Sequence, residues 1–341
     1  MEFRERVPLA PYTTFKIGGP ARWFAEAVNE ADILEAVDFA RERGLPLFAL
    51  GGGSNLLVSD EGFAGLVLYI GLKGIEQRGD VFEVAAGEDW DGFVSRAVTM
   101  DYAGIECLAG IPGTVGGTPI QNVGAYGQEV SETVTRVRVL NLNSLKFEEF
   151  SNSDCGFAYR RSVFNTTQRN KYIVTRVSYE LRKNGAPWIA YADLKRYFKD
   201  APAPSLCEVS AAVREIRRGK GMYIVPSDPD SRSAGSFFKN PVVSAEQFAR
   251  IAAAEGVEVP HYPAEEGAVK VTAAWLLERA GFHKGYAMGA AGISSKHTLA
   301  LVNRGDAKAA DILALRDRIV AQVEERFGVR LEPEPVLLGS L

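Results

Sequence analysis

The stretch Leu50-Gly-Gly-Gly-Ser-Asn-Leu-Leu-Val58 constrains the fold more than any other in the chain. A short apolar run, Leu45-Pro-Leu-Phe-Ala-Leu50, reads as a buried strand and leads straight into three glycines. Glycine permits positive φ and lets another molecule come close to the backbone. Consecutive N–H groups exposed in such a turn form a concave anion site. Read locally, Gly51, Gly52, Gly53, Ser54 and Asn55 are either a pyrophosphate cradle or an ordinary tight turn. The flanks narrow the choice. Asn29 is placed as an N-cap with Asp32 in the first turn, Ile33, Val37 and Ala40 fall on one face, and Gly44 ends the helix. The order is therefore helix, strand, glycine loop, with Leu56–Val58 and Leu66–Ile70 as further strand. A Rossmann unit would continue from the glycines into a helix, and a Walker loop would continue with Lys-Ser or Lys-Thr. This chain does neither.

A second glycine-rich stretch lies at 110–127, where six of eighteen residues are glycine and two are proline. No packed helix or strand tolerates that density. Ile111, Val115, Ile120, Val123 and Tyr126 are interleaved and able to be buried, so the stretch reads as an ordered loop. It either lies against a large flat ligand or forms a compact Ω-loop. Before it come a strand at Val81–Ala86 and a helix carrying Trp90, Phe93, Val94, Ala97 and Val98. After it, alternation predicts strands around Val137 and Val139 and over Ile173–Leu181. Between those strands Arg160 and Arg161 follow an aromatic pair. They are either partly buried beside an anion or two solvated arginines.

Net charge is −4 over 341 residues, which gives no basic footprint for nucleic acid or a membrane surface. No apolar run approaches a membrane span, and the charged N-terminus lacks a signal-peptide core. Cys107, Cys155 and Cys207 form no CxxC, and His261, His283 and His297 are not at ligand spacing. A reducing, cytoplasmic setting without a disulfide framework or metal is expected.

Lys199–Pro204 reads as a domain boundary. Ser205 and Glu208 then make a capping box whose helix turns Val209, Val213 and Ile216 inward. Arg214, Arg217 and Arg218 are expected on its solvated face, with Lys220 at its exit. In Ser231–Pro241, small residues lead to Ser236, two aromatics, Lys239 and Asn240; nothing matches the GxSxG elbow. Thr14 and Lys16 near the start are candidates for ligand contact or simply part of an entry strand and turn. Ser244 with Gln247 caps a further helix, another lies around Ala274–Leu277, and Thr298–Val302 reads as a strand. Ile312, Leu315, Ile319, Val323 and Phe327 define a long amphipathic helix stopped by Gly328. In the closing Leu331-Glu-Pro-Glu-Pro, the acids are either carboxylates aimed by prolines or a solvated turn.

Taken together, Thr14–Pro20, Leu50–Val58, Ile111–Gly127, Phe157-Ala-Tyr-Arg160, Ala234–Pro241 and Leu331–Glu334 resemble the UDP-N-acetylenolpyruvoylglucosamine reductase family. They span nearly the whole chain in the family's order. The resemblance implies an α+β chain with a two-subdomain FAD-binding region of the vanillyl-alcohol-oxidase (PCMH) type, 1–72 and 73–203. A substrate domain, 204–341, is expected to end in a strand returning toward the flavin. It implies non-covalent FAD, and the lack of histidine in residues 1–260 disfavours a histidyl link. NADPH would reduce the flavin. The substrate, a UDP-sugar enolpyruvyl ether, would then take hydride from flavin N5 at C3 and a proton at C2. The chain would work as a monomer. Residue by residue, Ser236 matches the proton donor, Arg160 the arginine at the substrate carboxylate, and Glu334 the catalytic glutamate. Gly51, Gly52, Gly53, Ser54 and Asn55 match the pyrophosphate loop. Pro112, Gly113, Thr114, Gly116, Gly117, Asn122, Gly124, Tyr126 and Gly127 match the rest of the cofactor lining. Lys220, Asn240 and His297 match substrate positions, and Tyr191 the substrate-covering tyrosine of one subtype. Two positions depart from the pattern. Pro335 stands where a β-branched residue is more usual, which bears on backbone pairing there. Thr118 stands where a smaller residue is common, which narrows the flavin pocket.

Overall fold

Asn29 begins the first helix as its sequence predicts. Its side chain accepts the Asp32 N–H, and Asp32 reaches back to the Asn29 N–H, closing a capping box on Glu30–Glu42. In the computed structural model, which describes residues 1–199, 203–264 and 267–340, such elements assemble into two compact units. The first comprises Met1–Val7, Pro20–Gly53 and Phe63–Gly219; the second comprises Pro8–Gly19, Ser54–Gly62 and Lys220–Leu341.

The first unit holds a four-stranded sheet in the order Arg4–Pro8, Pro20–Ala27, Phe63–Ile70, Leu47–Leu50. Phe63–Ile70 is parallel to both of its neighbours, with Phe24 opposite Val67 and Phe48 opposite Val67. A five-stranded antiparallel sheet runs Lys146–Ser151, Val134–Asn141, Tyr172–Glu180, Val81–Ala85, Ile75–Arg78. Alternation along Tyr172–Glu180 puts Val177 and Tyr179 inside and leaves Arg176 half-exposed. The helix Trp90–Thr99 covers this sheet: its Trp90 and Phe93 rings pack on Tyr179, Phe93 also meets Phe82, and Phe82 in turn meets Tyr102. One continuous core fills the unit. The helix Leu206–Gly219 joins that core through Leu206, Val209, Ala212 and Val213.

The second unit is built on Ala309–Phe327, whose Ile312, Leu315, Ile319 and Val323 are fully buried and which Gly328 ends at φ +64°. Around it stand helices Ala245–Glu255 and Ala273–Arg279 and two small antiparallel sheets. The strand expected at Thr298–Val302 forms later, at Leu301–Asn303, because His297–Ala300 closes a turn and the Thr298 hydroxyl donates to the Glu278 carboxylate at 2.6 Å. Phe15, Ile17 and Leu57 enter this core from the N-terminal segments. The last strand, Val336–Leu338, pairs in parallel with Leu56–Val58, directly after the first glycine loop.

By compactness the helix Leu206–Gly219 groups with the first unit, and residues 8–19 and 54–62 with the second. The division at 72/73 and 203/204 stays a proposal; of its boundary segment Lys199–Pro204, residues 200–202 lie outside the described residues.

Candidate active site

The two glycine stretches meet inside the first unit. A Cβ on Gly52 would stand 2.6 Å from the Gly113 Cα, and one on Gly51 would stand 2.7 Å from the Thr114 hydroxyl. At 52 the loops touch backbone to backbone and only glycine fits, whereas at 51 an added Cβ would meet a side-chain hydroxyl. Gly53 adopts φ +59° and Gly113 φ +131°. Among the described residues, the N–H groups of Gly52 and Gly53 donate to no backbone carbonyl. From Pro112 the second loop runs along the end of Val81–Ala85. Trp90 N–H donates to the Gly113 carbonyl, Val115 N–H to Glu88 and Gly116 N–H to Ala86. At exposed Gly117 a Cβ would meet open space.

Further along this loop the side chains turn inward. Asn122 is buried at φ +47°; its amide donates to Glu129 at 2.7 Å and to the Ala158 carbonyl at 3.1 Å, and accepts the Ser131 N–H. The Thr118 hydroxyl faces the Tyr179 hydroxyl at 2.6 Å and the Val115 carbonyl at 2.8 Å, so the extra atoms at this position are taken up inside the unit. Arg160 is half-buried at φ +56°, and its Nη2 donates to the Gly124 carbonyl at 2.8 Å. Arg161 beside it is exposed. Tyr126 (φ +49°) meets Tyr191 edge to face, centroids 5.4 Å apart. Arg160, Tyr126 and Tyr191 thus all contact the Gly124–Gly127 end of the loop or belong to it.

The expectation of a solvated arginine face on Leu206–Gly219 is corrected at two positions. Arg214 donates to both oxygens of Asp91, at 2.7 to 3.1 Å, and Arg217 donates from Nε to the Gly110 carbonyl at 3.0 Å. Burial lowers the Arg217 pKa, and the same burial raises that of Tyr126 while Arg217 draws it back. Arg218 alone of the three is exposed. Sequence reading also missed Glu106, fully buried, which accepts N–H groups from Gly104, Gln128 and Trp188. The signal was present: one acid inside the run Ile105-Glu-Cys-Leu-Ala109.

The second unit holds Ser236 and Glu334 on adjacent backbones. Phe237 and Phe238 are buried and fix the register on one side. Phe237 N–H donates to the Leu299 carbonyl, the Phe237 carbonyl accepts the Glu334 N–H at 2.8 Å, and Lys239 N–H donates to the Glu332 carbonyl. The half-buried Ser236 hydroxyl has no hydrogen-bond partner among the described residues. Asn55 supports the other side: its amide donates to the Glu334 carbonyl at 3.3 Å and its own carbonyl accepts the Val336 N–H at 2.9 Å. Pro335, which has no N–H to give, falls between these two bonds, and pairing continues through it. The Thr14 hydroxyl donates to the Ser233 carbonyl at 2.5 Å, which ties down the approach to Ser236, while Lys16 is exposed and donates to the Pro11 carbonyl. Asn240 Oδ1 takes the Ala273 N–H at 2.9 Å, which orients its NH₂. His297 Nδ1 accepts the Leu299 N–H at 3.0 Å, leaving Nε2 as the protonated nitrogen of the neutral ring. Lys220 precedes Gly221, which is at φ +65°.

Cys107, Cys155 and Cys207 are free thiols. Burial raises the Cys107 pKa, with Glu106 adding to it, and pushes Cys155 up to about 12, so neither is a nucleophile. Among the described residues no group of His, Cys, Asp and Glu is arranged to hold a metal, and no helix is long and apolar enough to cross a membrane.

The first loop fits a diphosphate. Two successive N–H groups are available, no Cβ obstructs them, and Gly53 supplies the positive φ that such a nest requires. Fold and loop together define a flavin-binding α+β protein: residues 21–144 match the family described as FAD binding domain. Residues 228–338 match UDP-N-acetylenolpyruvoylglucosamine reductase, C-terminal domain. The protein of that reductase name from Streptomyces coelicolor is 48% identical over 97% of this chain and 89% of its own length. That from Thermobifida fusca is 48% identical over 99% and 98%. The crystal structure of the Thermus caldophilus reductase covers 99% of this chain and 100% of its own at 28% identity and TM-score 0.69. The chain belongs to the UDP-N-acetylenolpyruvoylglucosamine reductase family and is an oxidoreductase.

Proposed function

We propose that this chain reduces UDP-N-acetylglucosamine enolpyruvate to UDP-N-acetylmuramate in peptidoglycan precursor synthesis. It would do so as a cytoplasmic monomer, with NADPH as hydride donor and non-covalent FAD. The supporting observation is the Glu334 N–H bond to the Phe237 carbonyl, which holds the proton-donor segment and the glutamate segment in one register. FAD, when bound, supplies the carrier that takes hydride from NADPH and gives it to the vinyl C3 of the substrate. Gly51 to Asn55 hold its diphosphate, and Pro112, Gly113, Thr114, Gly116, Gly117, Gly124, Tyr126 and Gly127 line the rest. Asn122 shapes that lining from inside.

Hydride addition at C3 leaves an electron pair at C2, delocalised into the carboxylate as an enolate. Arg160, preset at φ +56°, is the cation that stabilises the developing charge, with Glu334 supporting it. Ser236 gives its proton to C2 and is reprotonated from solvent. A hydroxyl is a weak acid, but an enolate is basic enough to take its proton. Tyr191, Lys220, Asn240 and His297 hold the remainder of the substrate. The three-part division 1–72, 73–203 and 204–341 is proposed as the functional one.

Anaerobic half-reactions test this. NADPH should bleach the yellow enzyme, and the enolpyruvyl substrate should restore the colour without oxygen. Ser236→Ala should leave bleaching intact and slow recovery by about 10²–10⁴-fold. Equal loss of both steps would remove Ser236 from the proton-donor role. A yellow colour that persists under NADPH would indicate a binding protein instead, and bleaching by a small alcohol an oxidase.

A further inference from the structure

Glu106 lies in the first unit with none of its surface exposed. A buried carboxylate must find donors for its oxygens, and the identity of those donors shows what it holds together. Oε2 accepts the Gly104 N–H at 2.8 Å. Oε1 accepts the Gln128 side-chain amide at 2.9 Å and the Trp188 backbone N–H at 2.8 Å. Gln128 is locked in turn, because its carbonyl accepts the Cys107 N–H at 2.8 Å. Trp188 is fixed at both ends of its residue: the Cys107 thiol donates to its carbonyl at 3.1 Å. Burial keeps that thiol protonated and so able to donate. The Trp188 indole lies over Gly127, where a Cβ would come within 2.9 Å of Nε1.

Two stretches, Gly104–Cys107 and Tyr126–Gln128, therefore supply every one of these anchors. Tyr191 follows Trp188 by three residues, a reach of about 10 Å at most. It stands edge to face on Tyr126, from the same second stretch. We propose that Glu106 is a positioning residue that fixes Trp188 and thereby holds Tyr191 ready for the substrate. One carboxylate thus ties the cofactor-lining loop to the substrate tyrosine. The inference rests on the reading of Tyr191 as a substrate contact.

Glu106→Gln keeps the shape but turns an NH₂ toward an N–H donor, whichever way the amide sits. In the FAD-loaded enzyme it should raise the KM for the enolpyruvyl substrate about tenfold and leave NADPH bleaching within about twofold. Tyr191→Phe should raise the same KM. The double variant should be no worse than Tyr191→Phe alone, because Glu106 acts through Tyr191. If the two effects multiply, Glu106 acts independently and the proposal fails. If Tyr191→Phe raises KM while Glu106→Gln does not, the proposal fails and the Tyr191 reading survives. If Tyr191→Phe leaves KM unchanged, the Tyr191 reading itself falls and the inference with it. Should Glu106→Gln not retain flavin, hydrogen exchange on the unaltered enzyme decides. The Trp188 amide should be protected as a buried strand amide is, and exchange within seconds would overturn the proposal.

Discussion

The two units hold their candidate site residues by different means. In the first, Asn122, Tyr126 and Arg160 stand on irregular backbone at φ +47°, +49° and +56°, a conformation that ordinary side chains resist. Their positions are imposed by backbone contacts at glycine and by polar groups such as Asn122 and Glu106 that are buried and fully bonded. In the second unit, Ser236 and Glu334 sit on extended, cross-bonded segments anchored by Phe237 and Phe238 in an apolar core. Where the two glycine loops approach each other at Gly52, the bare backbone tolerates no added methyl. The proposed proton donor needs one hydroxyl at one spot, and register plus an apolar anchor suits that role.

The contrast can be broken in three places. Phe237→Ala should have the largest effect, about 3–5 kcal/mol of second-unit stability measured by chemical unfolding. A cost under about 1 kcal/mol would mean that register, not the ring, fixes Ser236. Gly52→Ala should cost about 1–3 kcal/mol, because its Cβ would meet Gly113 backbone at 2.6 Å, and should weaken flavin retention in a dialysis assay. Undiminished flavin binding there would show that the loops can part without harm. The smallest effect concerns Glu30, held below its ordinary 4.5 chiefly by the hydrogen bond from Arg138 and bonded also to Thr175. The folded state therefore binds this proton less readily than the unfolded chain. The stabilisation is fully present above the unfolded pKa and is lost as pH falls through the folded one. Since the pair is about one-third exposed, Glu30→Gln should cost about 1 kcal/mol or less at pH 7. The gap should close as pH falls through the lowered pKa that Glu30 has in the folded state. A gap that persists into acid would assign the effect to packing.

Features set within a few residues were legible in the sequence. The Asn29 cap, the Ser205–Glu208 box, the Ser244 cap on Gln247, and Gly44 and Gly328 at helix ends all form as expected, and Asp32 closes a box on Asn29 besides. Local chemistry decides them, and local chemistry is what one chain displays. Arg214 and Arg217 were misread because a helix face is solvated or not according to what packs on it, and Asp91 and Gly110 lie over a hundred residues away. Asn55 read as a phosphate ligand, yet it also carries the Glu334 segment, a link no spacing announces. The glycines at 51 and 52 were legible as sites of close approach. That another loop of the same chain makes the approach was not.

The pairing of Val336–Leu338 with Leu56–Val58 has a consequence for the order of assembly. About 280 residues separate the partners, and at roughly 5–20 residues per second a ribosome needs from a quarter of a minute to nearly a minute to cover them. Phe15, Ile17 and Leu57, which end up in the second core, are likewise made long before residues such as Phe237, which packs on Phe15. The strand Leu56–Val58 thus waits for a partner about 280 residues downstream, and the bonds between Asn55 and the Glu334 segment form only once that segment has been made.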